Sequence, residues 1–162
     1  PYSLLWRVVE REILPACSKN NLGIICYSLL AQGLLTGRYA TANDVPSGLT
    51  QSRWFASTRP MAKHGEPGCE AEVFAAVEGV RTIAKELGQP MAQVALAWVL
   101  QQKNVTSVLI GARHPRELHE NLPALKLKLS SETMRKLEEI SAPVKEKLGN
   151  NPDMWMVPSR MR

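Results

Sequence analysis

Residues 23–39 read GIICYSLLAQGLLTGRY, and this stretch decides the fold. It begins within a short apolar run, residues 22–28, that contains β-branched side chains and is followed by loop residues. A second run of this kind, TSVLIG, occupies residues 106–111. Strands that are apolar throughout, without polar alternation, suit a sheet covered on both faces, and such sheets are usually parallel. The two runs therefore predict strands of a parallel sheet.

Helix patterns occupy the chain between the two predicted strands. Apolar side chains recur at steps of three and four at Val73, Val77, Val80, Ala84 and Leu87. This spacing predicts an amphipathic helix that Gly88 is suited to close. Pro90 fits the first turn of a second helix, because its missing N–H would be unpaired there in any case. The apolar face of this second helix consists of Met91, Val94, Ala95 and Trp98, of which we expect Met91 and Trp98 to pack in the core.

Three further helices are predicted outside this region. Residues 8–20 have a helical pattern that Pro15, late in the segment, should end or kink. Residues 115–122 form a short helix, and a longer one begins at the cap formed by Ser130 and Ser131. The side chains of the last helix that should face inward are Met134, Leu137, Ile140 and Val144.

The resulting order is strand end, helix, strand, long loop, two helices, strand and two helices. Such alternation is typical of βα units around a parallel sheet, and the first residues, PYSLLWR, resemble the end of a preceding strand. Residues 40–68 are rich in Pro, Gly, Ser and Thr and are longer than an ordinary loop. A loop of this kind is usually a functional lid or a disordered segment, and we expect His64 within it to be solvated.

The composition excludes several classes of protein. With 162 residues, 44% hydrophobic and 22% charged, the chain is expected to form one ordered domain. No apolar run is long enough to span a bilayer, and the first residues lack the layout of a signal peptide, so we expect a cytoplasmic protein without a membrane partner. Cys17, Cys26 and Cys69 are odd in number and have no C-x-x-C spacing, which argues against a disulfide framework and a zinc knuckle.

The charge and the histidines limit the partners further. A net charge of +5 favours an anionic partner, but no nucleic-acid-binding pattern accompanies it, so we expect no nucleic acid. His114 and His119 lie near Glu117, but two histidines five residues apart do not share a helix face as an i, i+4 pair would. We therefore expect no metal site.

Three segments in order resemble the aldo-keto reductase superfamily, especially its branch with the potassium-channel β subunits and the bacterial general-stress reductases. Residues 1–7 are similar to the end of the sixth barrel strand, and residues 23–39 to the seventh strand and its loop. Residues 107–121, SVLIGARHPRELHEN, resemble the eighth strand and its phosphate-binding helix. The resemblance implies an α/β fold, the carboxyl-terminal part of a (β/α)8 TIM barrel with about strands six to eight and their helices. Within these 162 residues that barrel is incomplete.

The resemblance also implies that NADPH lies across the carboxyl ends of the strands, with NADH as the alternative. On this basis Tyr27 would stack on the nicotinamide. The pyrophosphate and ribose contacts would come from Ser28, Leu29, Leu30, Ala31 and Gln32, with Gly33 allowing close backbone approach. Arg38 matches a phosphate-pairing residue, and Arg53 resembles the loop arginine that closes over the cofactor.

The second half of the implied cofactor site is the segment after the second strand. Gly111, Ala112 and Arg113 match the segment that receives the 2′-phosphate, and Glu120 and Asn121 match the pair that contacts adenine. His114 stands at the helix cap, where the family often has Asn, Ser or Thr, so the helix start should be weaker. Glu117 replaces a common Gln near the adenosine phosphate. A carboxylate there repels a dianion, which Arg113 and Arg116 can offset.

No residue of the chain matches the family's catalytic Asp, Tyr, Lys and His. We therefore interpret the chain as the cofactor-binding part of an NAD(P)H-dependent aldo-keto reductase that does not reduce carbonyls alone. The alternative is a non-catalytic nucleotide-binding or partner-binding regulatory module of the same fold. A small carbonyl substrate would bind only with the missing half.

The expected organisation follows from the same interpretation. Residues 1–149 would form the partial barrel and residues 150–162 a carboxyl-terminal tail, which either shapes the substrate pocket or is frayed. Because two apolar strands cannot close a barrel, we expect self-association or a complementing chain.

Overall fold

A computed structural model describes residues 1–156 of the chain. Two strands, β1 (Ile24–Tyr27) and β2 (Val105–Leu109), are accompanied by five α-helices. The helices are α1 (Ile13–Lys19), α2 (Glu70–Glu86), α3 (Met91–Leu100), α4 (Pro115–Asn121) and α5 (Ser131–Leu148). Short 3-10 helices occupy Val8–Glu10, Ala31–Thr36, Ala42–Asp44, Ser47–Leu49 and Leu122–Leu125.

The two strands form a parallel sheet, which confirms the predicted strand type. Their register pairs Ile25 with Ser107 and Tyr27 with Leu109. The first residues lie on the other side of β1, where the Tyr2 N–H donates to the Tyr27 carbonyl oxygen at 3.0 Å. Residues 1–7 form no extended strand ladder with β1, because Ser3 and Trp6 pair with each other in a turn. The expected strand end is thus reduced to one hydrogen bond.

All five helices occur where the pattern predicts helix, but two prolines take different positions from those expected. The single helix predicted for residues 8–20 is divided into Val8–Glu10 and α1, so Pro15 lies in the first turn of α1. It does not end or kink the helix there, because the N–H groups of a first turn have no partner within the helix. Pro90 is the residue before α3 and has an extended ψ of 136°.

The core lies between the sheet and the helices. Helix α2 packs along α5, with Gly79 of α2 directly beneath Ile140 of α5. Trp98 and Met91 of α3 are buried, as predicted, and Leu137 and Val144 of α5 are buried while Met134 and Ile140 are partly so. Ser130 accepts a hydrogen bond from the Thr133 N–H and caps α5.

Residues 40–68 pack against this core, so the interpretation as a disordered segment is wrong, while a role as a lid stays a prediction. Trp54 is fully buried and donates its indole N–H to the Leu5 carbonyl oxygen at 2.8 Å. His64 is also buried, with Nε2 3.1 Å from the Ser52 carbonyl oxygen, and is not solvated as expected. The apolar side chains of this segment provide enough burial to order a loop that is polar in overall composition.

One face of the sheet is uncovered in the described part of the chain. The exposed fractions of Ile25, Tyr27 and Leu109 are 63%, 46% and 61%. The three side chains lie on the same face, where Tyr27 pairs with Leu109 and Ile25 is two residues before Tyr27. Together they define what we call the open sheet face. No helix among residues 1–156 has the length and apolar character that a membrane span requires.

A buried charge cluster ties the first residues to α5. Glu10 accepts hydrogen bonds from Arg7 at 2.8 and 2.9 Å, from the Tyr2 hydroxyl at 2.9 Å and from Lys145 at 2.9 Å. Arg7 also donates to the Glu138 carbonyl oxygen and the Ser141 hydroxyl of α5. Burial opposes ionisation of Glu10, but the hydrogen bonds from Arg7 and Lys145 outweigh it and lower its pKa.

We predict that Glu10→Gln lowers the free energy of unfolding at pH 7 by about 3 kcal/mol, because Arg7 is left buried without its carboxylate. The pKa of Glu10 is lowered in the fold, so its stabilising effect is present above its unfolded pKa of about 4.3 and is lost as pH falls through the folded pKa. Urea unfolding of both proteins from pH 7 downward should show the difference narrowing in acid. Glu146→Gln removes a more exposed partner of Arg11 and should cost less than about 1 kcal/mol; an equal loss would contradict the prediction.

Candidate functional site

A cleft of about 1000 Å³ lies at the carboxyl ends of β1 and β2. Because the strands are parallel, the loops that follow them emerge at the same edge of the sheet and form the two sides of the cleft. The amino-terminal end of α3 supplies a third side through Pro90, Met91, Ala92 and Gln93. The volume is within the range of small-molecule sites.

Most residues predicted from the sequence for cofactor binding line this cleft. They are Ser28, Leu29, Leu30, Gln32, Gly33, Arg38, Gly111, Ala112, Arg113, Glu117, Glu120 and Asn121. The sequence reasoning missed Thr36, Leu49, Ile110 and the α3 residues. The α3 residues were missed because helix periodicity does not show which end of a helix faces a neighbouring loop. Tyr27 and Ala31 do not line the cleft. Tyr27 belongs to the open sheet face at the end of β1, and Ala31 is fully buried within the loop.

The loop after β1 has an unusual backbone. Ser28, Ala31 and Gln32 have φ values of 58°, 49° and 57°, in the left-handed region that non-glycine residues seldom adopt, and Gly33 follows with 95°. Such conformations cost about 1–3 kcal/mol each and persist where surrounding packing enforces them, often at binding sites. Buried Leu29, Leu34 and Leu35 anchor this loop to the core.

Both loops line the cleft and contain backbone N–H groups that a ligand could use. Among residues 1–156, the N–H groups of Leu29, Leu30, Gly111 and Ala112 donate to no protein acceptor. A Cβ added to Gly111 would meet no atom within 4 Å, so the backbone there faces open space. These donors suit an anionic or strongly accepting ligand, since backbone N–H groups need a partner once water is displaced.

Arg38 adds a cation to the β1 side of the cleft. Its guanidinium carbon lies 6.0 Å from the centre of the Tyr39 ring, and no carboxylate among residues 1–156 forms an ion pair with it. Arginine suits phosphate recognition because its planar group presents several donors in a fixed arrangement. Arg38 is therefore available to a ligand.

Helix α4 forms the opposite side, and two of its glutamates take part in ion pairs. The Glu117 carboxylate accepts from the Arg113 N–H at 2.8 Å and from the Arg113 guanidinium at 3.1 Å. These two hydrogen bonds lower the pKa of Glu117. Arg116 pairs with Glu120 at 2.7 Å, while the Glu120 carbonyl oxygen accepts from Gln93 of α3 at 2.7 Å.

The start of α4 has no side-chain cap, as expected from His114 at the cap position. His114 makes no capping hydrogen bond through its side chain, and the carboxylate of Glu117 binds the preceding Arg113 N–H instead. His119 contacts the Pro115 carbonyl oxygen within its own helix. Within residues 1–156, no group of three His, Cys, Asp or Glu side chains has an arrangement that could hold a metal ion.

The structure does not bring Arg53 to the cleft, in contrast to the sequence-based expectation. Its side chain is only 4% exposed and donates to the carbonyl oxygens of Leu148 at 2.8 Å and Asn151 at 3.0 Å, and to Glu66 at 2.9 Å. The Arg53 N–H also donates to the Met154 carbonyl oxygen. Arg53 therefore fixes the segment after α5, because every one of these carbonyls belongs to the end of α5 or beyond it. Residues 157–162 of the predicted tail lie outside the described residues.

The comparisons with known proteins agree with this architecture. The sequence profile of the Aldo/keto reductase family matches residues 1–142. The NADH-specific methylglyoxal reductase of Escherichia coli strain K12 is 32% identical over 140 residues, covering 86% of this chain and 40% of that protein. A probable voltage-gated potassium channel subunit beta of Oryza sativa subsp. japonica is 36% identical over 135 residues, covering 82% and 39%.

A solved structure shows the same relation. The glycerol dehydrogenase of Gluconobacter oxydans superposes with a TM-score of 0.69 at 27% identity, over 94% of this chain and 43% of the dehydrogenase. The chain thus spans about two fifths of the length of these proteins. Its fold is a part of a (β/α)8 barrel, as the sequence predicts.

The contrast between the two arginines gives a prediction. Arg53→Ala should lower the free energy of unfolding by about 3 kcal/mol or more, because buried carbonyl oxygens and Glu66 lose their donor. Arg38→Ala should change it by less than about 0.5 kcal/mol, because the Arg38 guanidinium has no carboxylate partner among the described residues. Chemical unfolding followed by tryptophan fluorescence measures both. Equal losses for the two variants would show that Arg53 has no special part in holding the segment after α5.

Proposed function

We propose that this chain, which belongs to the aldo/keto reductase family, provides the cofactor-binding side of an NAD(P)H-dependent carbonyl reductase. The observation that carries the proposal is the set of unpaired N–H groups in two loops, together with Arg38, around one cleft. The family uses nicotinamide cofactors. What we propose is the location of the site, the identity of its cofactor and the reaction of the whole protein.

The donor set of the cleft fits a dinucleotide. A diphosphate needs several hydrogen-bond donors and at least one cation, and the N–H groups of Leu29, Leu30, Gly111 and Ala112 with Arg38 are of the right kind. TIM-barrel proteins commonly bind phosphate at the loops after the seventh and eighth strands, the positions that β1 and β2 resemble. The glycines at 33 and 111 allow the close approach of such a group to the backbone.

The remaining residues would orient the two ends of the dinucleotide. Tyr27 offers a half-exposed aromatic face at the end of β1, which suits stacking on the nicotinamide ring. Glu120 and Asn121 on α4 offer acceptors and donors for the adenine at the other side. Ser28 and Gln32 line the cleft in the strained loop and would contact the part of the dinucleotide between these ends.

A bound nicotinamide cofactor supplies hydride to a carbonyl carbon. This step also needs a proton donor beside the carbonyl oxygen, and no residue of the chain matches the family's Tyr and Lys. The described residues would therefore bind and orient the cofactor, while the proton donor and the pocket for a small carbonyl compound would come from other residues. We expect no reduction by residues 1–162 alone.

A second candidate is a regulatory module that binds nucleotide and a protein partner without catalysis. The observation in its favour is the open sheet face, which leaves apolar side chains of both strands uncovered. One relative is named as a probable potassium channel subunit beta. Turnover by a preparation containing the complementing part of the barrel would favour the reductase; cofactor binding without turnover there would favour the module.

The cofactor site is tested by Gly111→Val. A Cβ at this position meets no protein atom within 4 Å, so the fold should tolerate the side chain, which would occupy space beside the loop N–H groups. We expect the dissociation constant for NADH and NADPH to rise at least about tenfold, measured by nicotinamide fluorescence. Gly65→Val is the matched control, because a Cβ there also meets no atom and Gly65 does not line the cleft. Unchanged affinity in Gly111→Val would contradict the proposed site.

The open sheet face predicts association with another chain, either a second copy or a complementing part of the barrel. Burying a few hundred Å² of apolar surface is worth several kcal/mol, at about 25 cal/mol per Å². Sedimentation of the purified chain should therefore show concentration-dependent association. Ile25→Thr should weaken the association. Leu118→Thr is the control and should leave the association unchanged, because it changes an exposed leucine on α4, outside the open sheet face. A compact monomer at all concentrations would contradict association with a second copy and leave only a complementing part of the barrel.

A further inference from the structure

The two sides of the cleft differ in how they are fixed to the core. The loop after β1 contains Leu29, Leu34 and Leu35, whose exposed fractions are at most 2%. On the other side, residues 111–121 run from the end of β2 to the end of α4, and none of them is buried. We call these residues the α4 segment. Core packing therefore holds the loop after β1 but not the α4 segment.

The polar contacts of the α4 segment are mostly internal. Its charged side chains form the two i, i+4 ion pairs described above, and His119 contacts a carbonyl oxygen of its own helix. Among residues 1–156, a single hydrogen bond joins the α4 segment to a part of the chain that is distant in sequence. In this bond the Gln93 Nε2 donates to the Glu120 carbonyl oxygen at 2.7 Å.

Gln93 lies in the first turn of α3 and has an unusual environment for a glutamine. It is 8% exposed and is the one polar residue among the buried residues of α3. A buried amide needs a hydrogen-bond partner, and the last turn of α4 can supply one, because carbonyl oxygens there lack partners within the helix. The Gln93 amide thus connects the start of a buried helix to the end of an exposed one. Gln93 and Glu120 both line the cleft.

We propose that Gln93 is a positioning residue that holds α4 at the distance from the loop after β1 that a bound dinucleotide requires. The inference deepens the proposed function and rests on it. A ligand that contacts both sides of a cleft binds more tightly when both are already in place, because ordering one side on binding reduces the affinity. Gln93 acts through α4, whereas Arg38 and the loop N–H groups would contact the ligand themselves.

The test compares Gln93→Met with the wild-type chain of 162 residues. Met is an uncharged, unbranched side chain that is favourable in a helix, but it cannot donate to the Glu120 carbonyl oxygen. We expect the dissociation constants for NADH and NADPH, measured by nicotinamide fluorescence, to rise at least about fivefold. Without ligand, hydrogen exchange should become at least about fivefold faster in α4 and stay unchanged in α2 and α5.

The matched control is Gln101→Met, at the other end of α3. The Gln101 amide donates to the Leu127 carbonyl oxygen at 3.4 Å and accepts from the Leu129 N–H at 3.2 Å, so it also ties α3 to a later segment. Gln101 does not line the cleft. Gln101→Met should lower the urea concentration at which the protein unfolds, while both dissociation constants stay within about twofold of wild type.

Several results would overturn the role of Gln93 and leave the cofactor site in place. One is unchanged affinity in Gln93→Met. Another is an affinity loss without faster exchange in α4, which would indicate that Gln93 contacts the ligand directly. Faster exchange that extends to α2 and α5, or an equal affinity loss in Gln101→Met, would indicate a general loss of stability.

The proposed function fails in a different way. If neither NADH nor NADPH binds the wild-type chain, the cofactor site is overturned and the role of Gln93 in binding falls with it. An affinity loss with faster exchange confined to α4, in Gln93→Met and not in Gln101→Met, supports the inference.

Discussion

The parallel pairing of β1 with β2 is the constraint on which the rest of the structure depends. Pairing Tyr27 with Leu109 brings the ends of both strands to one edge, and the loops that follow them can then face each other across a cleft. Helices α2 and α3 lie in the connection between the strands and contribute many buried apolar side chains to the core. A shift of the register by one residue would turn buried Cys26 outward and exposed Tyr27 inward, and it would move both loops.

Much of this arrangement could be predicted from the sequence. The continuous apolar runs identified both strands, and the spacing from Val73 to Leu87 identified α2, because these signals depend only on local periodicity. The loop residues of the cleft were recognised through their resemblance to a family whose profile matches residues 1–142. Local pattern and resemblance agreed wherever a feature depended on neighbours in the sequence.

Features set by distant contacts were not predictable in this way. Arg53 and His64 lie in a segment of polar composition. Arg53 is buried against the Leu148 carbonyl oxygen far along the chain, and His64 against the Ser52 carbonyl oxygen of its own segment, and neither contact has a periodic signal. The position of Pro15 depended on where α1 begins, which the helical pattern of residues 8–20 did not show. The ion pair between Arg113 and Glu117 could be suspected from its i, i+4 spacing, but the bond from Glu117 to the Arg113 N–H required the structure.

The long separation between the two strands also determines when the cleft can exist during folding. Ile24 pairs with Val105, so the sheet joins positions about eighty residues apart, and a loop of that length must be ordered before the contact becomes favourable. Helices α2 and α3 contain local contacts and can form earlier, whereas contacts of high sequence separation form slowly. Neither loop alone has both sides of the cleft. Ligand-binding competence should therefore be acquired late in folding, and a partly folded chain with native helix content would have none.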